Sequence, residues 1–507
     1  MAAVFDLVAG ILASLNVRSA LLCFIVFLIL TLIVHRQRTR IKNPPPGPRS
    51  WPVFGCLPQL LRDFQEIPMH ELFCSLGQKY GPVCLLNTPF GQAVVINGYE
   101  AVHESLTCEE FNWRTPGISR GIFHKLLRAR GIIWASGDPW KEHRRFSLTV
   151  LRSFGIGKRS FEDQIATESE CLIHEIAAGN GKPFNPTNLF CNAVSNVICS
   201  VVFGKRFEYH DPEFTNLLHL LEDSTNHMAI GILLMIMPFL TKIPFFPKGA
   251  LPSLLQLRLN LKDIVNLHRD TYEKENMRDY IDVYLKDLQM KNEKGVETHL
   301  SDDELVAVVH DFFLAGTETT STTLRWALLY MLKYPDVQKR VQEEIDSVVG
   351  RDRLPKLSDK SNLPYTEAVI HEIQRFASIV LLAIPRFTRS DVEFRGYTIP
   401  KGTPILPNLY SVTRDPSVWD EPGVFKPERF LDGDGQVRKI PEQIVFGAGK
   451  RVCLGEQLAR MELFIFYTHL MHRFSFKKPT DVESLNTRPK PGGVLTPYPY
   501  DICAIAR

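Results

Sequence analysis

The sequence has no paired-cysteine motif. Its ten cysteines are scattered along 507 residues, and no two of them are separated by two intervening residues. This spacing excludes the zinc sites and dithiol redox motifs that depend on C-x-x-C pairs. Scattered cysteines in a chain of this length are typical of small buried side chains in a reducing compartment. We interpret nine of the ten in this way, and Cys453 is the exception.

The sequence also lacks an excess of one charge sign. Lys and Arg number 59 against 56 Asp and Glu, so the formal net charge is only +3. This balance gives no indication of nucleic acid as a partner. Apolar residues make up 45% and charged residues 23%, which is typical of a globular protein with a large core. Because the chain has neither an internal repeat nor a later linker, we predict one large domain.

A long uncharged hydrophobic run lies near the N-terminus. Residues 20–34 read ALLCFIVFLILTLIV, slightly short of the roughly 20 residues that a spanning helix needs. A cleaved signal peptide is the alternative, but no small-residue cleavage site follows. The basic residues 35–42 follow instead, and such a flank stays on the cytosolic side. We therefore predict that residues 1–43 form a membrane signal-anchor and that the rest of the chain is cytosolic.

The predicted domain, residues 44–507, begins with a proline-rich hinge at residues 44–48, which marks its boundary with the anchor. Successive prolines favour an extended and semi-rigid backbone. The domain is predicted to be mainly α with a small β portion, because most long segments have helical periodicity. Two hairpins are predicted, one from residues 83–86 and 93–96 and one from residues 392–394 and 397–399.

The clearest predicted helix begins at Ser301 and continues to about Lys333, which makes it about 50 Å long. Ser301 and Glu304 form a capping-box pattern at its start. Its middle reads AGTETT over residues 315–320, and polar groups in a buried helix need partners or a function. Glu318 could pair with a nearby base, and Thr319 could bond back to the carbonyl of Ala315. Taken alone, the motif leaves structure and function equally open.

A glycine-rich loop precedes Cys453. Residues 446–455 read FGAGKRVCLG and lead into an apolar helix from about Glu456 to Arg473. Two glycines permit a tight loop with close backbone approach. A cysteine at a helix N-terminus is expected to have a lowered pKa and to form the thiolate, which is the metal-binding form. We predict that Cys453 is a metal ligand.

This loop resembles the haem-ligand signature of the cytochrome P450 superfamily. Other family motifs follow in the expected order: E-x-x-R at Glu372 to Arg375, P-E-R-F at residues 427–430, and W-x-x-x-R at Trp140 to Arg144. The proline hinge and residues 398–403 resemble the animal microsomal family 2. The resemblance covers the chain from anchor to C-terminus and implies a P450-type fold, with one large haem domain behind a transmembrane anchor.

The resemblance implies haem b with Cys453 as its axial thiolate. It places Arg120, Trp140, Arg144, Arg386 and Arg451 around the haem propionates, which need charge-assisted bonds when buried.

In the family, Arg429 joins Glu372 and Arg375 in a buried ion network. The catalytic pair would be Glu318 and Thr319: Thr319 would hold oxygen and an ordered water, and Glu318 would relay protons. An irregularity of the helix at residues 315–316 would open a groove for dioxygen.

The implied function is a monooxygenase that inserts one oxygen atom into a lipophilic small molecule such as a fatty acid, a sterol-like compound or a xenobiotic. Its implied partners are NADPH–cytochrome P450 reductase, with cytochrome b5 as a second candidate, and the endoplasmic reticulum membrane. A haem-thiolate isomerase or dehydratase and a non-catalytic haem sensor are the alternatives. Neither of these would need the pair Glu318 and Thr319.

Three surfaces are predicted from these assignments. The distal pocket wall would contain Phe123, Phe312, Phe313, Ala315 and residues 379–383. The apolar residues 228–237 are too short to span a bilayer and would form a pocket roof or a membrane-dipping surface. Lys141, Arg145 and Lys450 would attract an acidic reductase surface to the cysteine-loop side.

Overall fold

The computed structural model describes residues 42–51, 54–88, 91–114, 130–156, 159–226 and 251–507, together with Val26. The predicted membrane anchor, apart from Val26, Lys42 and Asn43, therefore lies outside the described residues. Arg120, Phe123 and the predicted roof at residues 228–237 also lie outside them. Among the helices that the structure describes, none combines the length and apolar composition needed to cross a membrane.

Helices account for most of the described chain. The first seven are α1 Leu57–Glu66, α2 Met69–Tyr80, α3 Tyr99–Thr107, α4 Gly137–Ser153, α5 Arg159–Ala178, α6 Thr187–Val202 and α7 Pro212–Asn226. The next seven are α8 Leu251–Asp270, α9 Tyr280–Glu293, α10 Asp302–Lys333, α11 Pro335–Val349, α12 Pro364–Ala377, α13 Leu409–Thr413 and α14 Glu456–Arg473. Short 3₁₀ helices cover Leu357–Asn362, Pro427–Phe430 and Gly449–Arg451. The prediction of a mainly helical fold is confirmed.

The strands are short and form small sheets. They are β1 Val83–Thr88, β2 Gly91–Ile96, β3 Arg386–Phe387, β4 Val392–Phe394, β5 Tyr397–Ile399, β6 Pro404–Pro407, β7 Phe474–Lys477, β8 Pro489–Lys490, β9 Thr496–Pro497 and β10 Cys503–Ala506. One sheet has four strands in the order β1-β2-β6-β3, and β2 and β6 are parallel in it. Both predicted hairpins are confirmed, as antiparallel β1-β2 and β4-β5 pairs.

Helix α10 runs through the largest buried cluster and packs against α6, α8, α12 and α14. Its predicted start and end are confirmed, and the Ser301 side chain caps it by accepting a hydrogen bond from the Glu304 backbone. The reciprocal half of the predicted capping box is absent, because the Ser301 backbone N–H donates to the Tyr284 hydroxyl. The Glu304 side chain turns to Gly131 instead.

The proline-rich segment is attached to the sheet. The Leu85 backbone N–H donates to the Pro46 carbonyl at 2.8 Å, and a Cβ at position 47 would overlap the Leu85 carbonyl oxygen. Gly47 therefore permits this close approach. The Asn43 side chain also donates to the Gly396 carbonyl at 2.5 Å. The segment thus contacts both hairpins, which constrains where the preceding chain leaves the domain.

A buried ion network lies between α12 and the 3₁₀ helix Pro427–Phe430. Arg375 contacts both carboxylate oxygens of Glu372 at 2.7 Å, and Arg429 reaches the same carboxylate at 3.3 Å. The remaining N–H groups of both guanidinium groups donate to backbone carbonyls of the segment before the 3₁₀ helix. Because each buried charge has partners, this network fixes the segment without an external ligand.

Candidate functional site

The cysteine loop approaches the C-terminus of α3 closely. Gly449 has φ of +70°, and a Cβ there would overlap the Leu106 carbonyl oxygen. The loop then passes through the 3₁₀ helix Gly449–Arg451, and the Cys453 backbone N–H donates to the Phe446 carbonyl at 2.9 Å. Among the nine cysteines in the described part of the chain, only Cys453 is exposed.

The expected lowering of the Cys453 pKa is wrong for the protein without a bound metal. Although Cys453 is exposed at its surface, the density of protein around it desolvates the thiol and raises its pKa, and a backbone hydrogen bond from Gly455 and the charge of Arg144 only partly oppose this. The helix that was expected to stabilise the thiolate begins three residues later, at Glu456, and its end effect falls off within about one turn. Coordination to a metal would itself favour the thiolate.

Four arginines surround the cysteine loop. The Arg451 guanidinium lies 3.8 Å from the centroid of the Trp140 ring and donates to the Ala135 carbonyl at 2.7 Å. Arg144, one turn after Trp140 on α4, donates to the Val452 carbonyl at 2.8 Å. Arg386, on β3, donates to the Leu106 carbonyl at 2.8 Å. The structure therefore brings together four of the predicted cofactor-binding residues.

The fourth arginine, Arg114, was missed by the sequence analysis. Its side chain donates to the Ile384 and Pro385 carbonyls. Because these partners lie about 270 positions later in the sequence, no local spacing distinguishes Arg114. Arg120, which was predicted in this role, lies outside the described residues.

None of these four arginines forms an ion pair within the described part of the chain. Burial and mutual repulsion lower the pKa of Arg451 to about 9, and burial lowers the pKa of Arg386 to about 10. The pKa of Arg114 is also lowered, first by burial and then by the charges of Arg386 and Arg451. Buried cations of this kind are costly unless an anion neutralises them.

Several donors in this cluster also have no hydrogen-bond partner among the described residues. They are Arg114 Nε, Trp140 Nε1 and Arg386 Nε, all of them buried. Buried donors without partners are rare in folded proteins and require an explanation, such as a ligand or an ordered water. The cluster therefore has the chemistry of a binding site for a buried anion with several acceptor oxygens.

The predicted catalytic pair, Glu318 and Thr319, lies on α10. The Thr319 hydroxyl donates to the Ala315 carbonyl at 2.8 Å, which is the back-bond that the sequence analysis left open. Glu318 is half-buried, and burial raises the pKa of its carboxyl group while Arg325 opposes this. No direct hydrogen bond between Glu318 and Thr319 is present among the described contacts. A proton passing between them would need an intervening group such as water.

The predicted helix irregularity at residues 315–316 is not observed. Helix α10 continues through these positions. A Cβ at Gly316 would overlap the Ile198 side chain on α6. The glycine therefore permits close packing of two helices, which is a different reason for its presence from a dioxygen groove. Ala315, one position earlier, is exposed.

Comparison with known proteins identifies the family. The family model described as Cytochrome P450 matches residues 45–504. Cytochrome P450 2J2 of Homo sapiens is 40% identical over 509 residues, covering 100% of this chain and 99% of the relative. Cytochrome P450 2J3 of Rattus norvegicus is 40% identical over 505 residues, covering 99% of both. Cytochrome P450 2D10 of Mus musculus is 40% identical over 495 residues, covering 95% of this chain and 96% of the relative.

This chain belongs to the cytochrome P450 family. The predicted resemblance to family 2 is confirmed by these relatives. P450 proteins bind haem b through an axial cysteine thiolate, and the P450 homologues of this chain are monooxygenases, which supports its assignment as an oxidoreductase. The arginine cluster fits this cofactor, because its unpartnered donors and unneutralised cations match the two propionates of haem b.

One part of the predicted pocket wall is corrected by the contacts of two phenylalanine rings on α10. Phe313 is fully buried and packs against Phe203 in the main core, with 6.1 Å between the ring centroids. Phe312 is half-buried and contacts Tyr280 edge-on. Helical periodicity alone could not predict which of these rings line the pocket, because α10 packs against several other helices. The exposed position on this stretch is Ala315.

The predicted reductase-docking charges are only partly free. Lys141 pairs with Asp138 and Lys450 pairs with Glu109, both at 2.9 Å. Arg145 is exposed, and it forms no ion pair within the described part of the chain. An approaching acidic surface would therefore meet less positive charge at the two lysines than the sequence alone indicates.

Proposed function

We propose that this P450 is a monooxygenase that inserts one atom of dioxygen into a lipophilic small molecule, using electrons that NADPH supplies through a flavoprotein reductase. The observation that carries the proposal is the group of four arginines without a carboxylate partner, two of them buried and two half-buried, around the only exposed cysteine of the described chain. Such a group is costly for the protein alone and is suited to an anionic cofactor.

Cys453 is the proposed axial ligand. Trp140, Arg144, Arg386 and Arg451 are the proposed propionate ligands, and Arg114 joins them because its Nε is buried and unpartnered. Arg120 remains a prediction from the family motif. When bound, haem supplies the iron at which dioxygen is activated, and a thiolate ligand favours cleavage of the O–O bond.

Thr319 and Glu318 are proposed to deliver protons. The Thr319 hydroxyl is half-buried and holds its proton toward the Ala315 carbonyl, so rotation about its side-chain bond would redirect it. The raised pKa of the Glu318 carboxyl, caused by burial, allows it to carry a proton closer to neutral pH than a surface glutamate does. A water molecule would have to connect the two groups.

The proposed substrate is lipophilic and long. Apolar positions that are at least partly accessible occur on α10 at Ala315 and in the segment that follows α12 at Val380, Leu382 and Ala383. A pocket of this composition selects by shape and apolar area. Because one methylene discriminates by only about 1–3 kcal/mol, we expect several related lipids or xenobiotics to be accepted.

We also propose that residues 1–43 anchor the domain in the endoplasmic reticulum membrane, with the domain in the cytosol. The support is the apolar run at residues 20–34 and the basic flank that follows it. Cytochrome b5 is a second candidate electron donor on the same grounds of family resemblance.

The function is tested by reconstituting the full-length haem protein with the reductase in lipid vesicles. We expect NADPH consumption and an oxygenated product from fatty acids, increasing with chain length, and little from polar amines or sugars. The Thr319→Ala variant should consume NADPH but release more peroxide per product. A wild-type protein that binds haem and turns over no lipid would contradict the proposal and favour a sensor.

A further inference from the structure

The loop at residues 130–133 is attached to α10 by two carboxylates. Glu304 Oε2 accepts a hydrogen bond from the Gly131 backbone N–H at 2.9 Å. Asp311 Oδ2 accepts two, from the backbone N–H groups of Ile132 at 2.7 Å and Ile133 at 2.8 Å. Glu304 and Asp311 are two helical turns apart and therefore lie on one face of α10. Three successive backbone donors are thus bound by this one face.

The fit between this loop and the helix is close. Gly131 has φ of +74°, and a Cβ there would overlap Asp311 Oδ2 and approach the Ala307 carbonyl oxygen to 3.1 Å. Arg130 pairs with Asp303 at 2.5 Å. The backbone of the loop is therefore held in one place by the shape of the contact as well as by charge.

The other side of the same loop holds a proposed haem ligand. Arg451 donates to the Ile132 carbonyl at 3.3 Å and to the Ala135 carbonyl at 2.7 Å. Ile132 therefore donates its N–H to Asp311 and accepts from Arg451 through its carbonyl. One peptide segment connects a buried carboxylate of α10 to the guanidinium beside the cysteine loop.

We propose that Asp311 is a positioning residue for Arg451. Asp311 is 5% exposed, and it fixes the backbone of Ile132 and Ile133 so that the loop carbonyls orient the Arg451 guanidinium toward a haem propionate. This inference rests on the proposed function, because it assigns the propionate contact to Arg451. The attachment of the loop to Asp311 is testable without that assignment.

The first measurement is amide hydrogen exchange of a peptide covering residues 131–136. Asp311→Ala and Gly131→Ala should both increase exchange there, since one removes the acceptor and the other displaces it without changing charge. Asp311→Asn keeps an acceptor oxygen and should show a smaller increase. Asp302→Asn is the matched control: it removes a charge from the same helix, and Asp302 pairs with Arg269 rather than with the loop.

The second measurement is the rate of haem transfer to an excess of apomyoglobin. We expect Asp311→Ala to accelerate haem loss roughly tenfold, the factor that corresponds to weakening one charge-assisted hydrogen bond. Asp311→Asn should have a smaller effect and Asp302→Asn none. In an Arg451→Lys background, the Asp311 substitution should add little further, because both changes act on the same contact.

Two results would overturn the proposal: unchanged haem loss in a variant whose loop exchanges faster, or an Asp311 effect that adds fully to that of Arg451→Lys. If Asp311→Ala does not fold, Gly131→Ala and Asp311→Asn give the same comparison. Failure of the proposed function is recognised separately, since the wild-type protein would then bind haem but turn over no lipid in the reconstituted assay.

Discussion

Two groups of buried or half-buried arginines in this protein differ in what neutralises them. Arg375 and Arg429 share the carboxylate of Glu372, and their other N–H groups donate to backbone carbonyls. Arg114, Arg386 and Arg451 have no carboxylate partner within the described part of the chain, and their pKa values are lowered by burial. The positive charge of the first group is neutralised within the protein, so this group stabilises the fold. The positive charge of the second group is neutralised only when an anion binds, which indicates a binding site.

The largest effect is expected at Cys453, in the loop that the second group of arginines surrounds. Cys453→Ala should abolish the red-shifted Soret band of the reduced carbon-monoxide complex, because that band requires a thiolate opposite carbon monoxide. The measurement is an absorption spectrum of the reduced, carbon-monoxide-treated protein. Cys171→Ala, at a half-buried cysteine, is the matched control and should keep the band. A band that survived in Cys453→Ala would assign the ligand elsewhere.

In the first group, Glu372→Gln should destabilise the protein by roughly 3–5 kcal/mol, because it leaves two buried arginines without their carboxylate. Glu428→Gln is the control, since Glu428 lies next to Arg429 but is exposed and pairs with Arg340. Its loss should cost under about 1 kcal/mol. Denaturant unfolding measures both. Equal effects would show that the carboxylate of Glu372 contributes no more to stability than a surface ion pair does.

Glu462 extends the comparison to a buried acid that forms no ion pair within the described part of the chain. Burial raises the pKa of this carboxyl group to about 8, and Oε1 has no partner among the described residues. Between pH 4.5 and 8 the folded protein holds a proton that the unfolded chain has lost. Stability should therefore fall as the pH rises through this window, by up to about 1.4 kcal/mol per pH unit.

Glu462→Gln should flatten this dependence and be more stable than wild type at pH 8, with the two converging near pH 5. Unfolding curves at pH 5, 6, 7 and 8 provide the test. Parallel pH profiles for the two proteins would show that Glu462 is ionised in the folded state or that another group dominates.

Arg386→Gln tests the second group, and its expected effect on the stability of the haem-free protein is opposite in sign to that of Glu372→Gln. The free energy of unfolding of the haem-free protein should stay the same or rise by about 1 kcal/mol, because an unneutralised buried cation is removed. Haem loss should accelerate roughly tenfold, since a charge-assisted bond to a propionate is lost. A strongly destabilised haem-free protein would indicate that Arg386 acts as a structural residue like Arg375.

The smallest effect is expected at the surface. Arg145→Glu should slow the first electron transfer from the reductase on the order of a few-fold at low salt, and Lys141→Glu should slow it less, because Asp138 already pairs with Lys141. Substrate affinity should not change. Stopped-flow reduction at two salt concentrations measures the effect, and equal rates for wild type and Arg145→Glu at low salt would discard this docking surface.

Contacts between segments that are close in the sequence were predicted correctly. Helix α10, helix α14 and the hairpins β1-β2 and β4-β5 were all expected, because periodicity, caps and turns are local signals. The position of Cys453 in a glycine-rich loop before a helix was expected for the same reason. Their functional interpretation came from the order of the motifs along the chain, which together match one family.

What only the tertiary structure decided involves residues that are distant in the sequence. Arg114 joins the arginine cluster through carbonyls about 270 positions away. Gly316 is explained by Ile198 on another helix, and Phe313 faces Phe203 in the core. The pKa of Cys453 is raised because the protein packed around the thiol desolvates it, which its local sequence did not predict. The sequence by itself determined the chemical groups and their local structure. Packing decided which of those groups are neutralised and which still need a ligand, because charge compensation in a protein interior depends on distances in space.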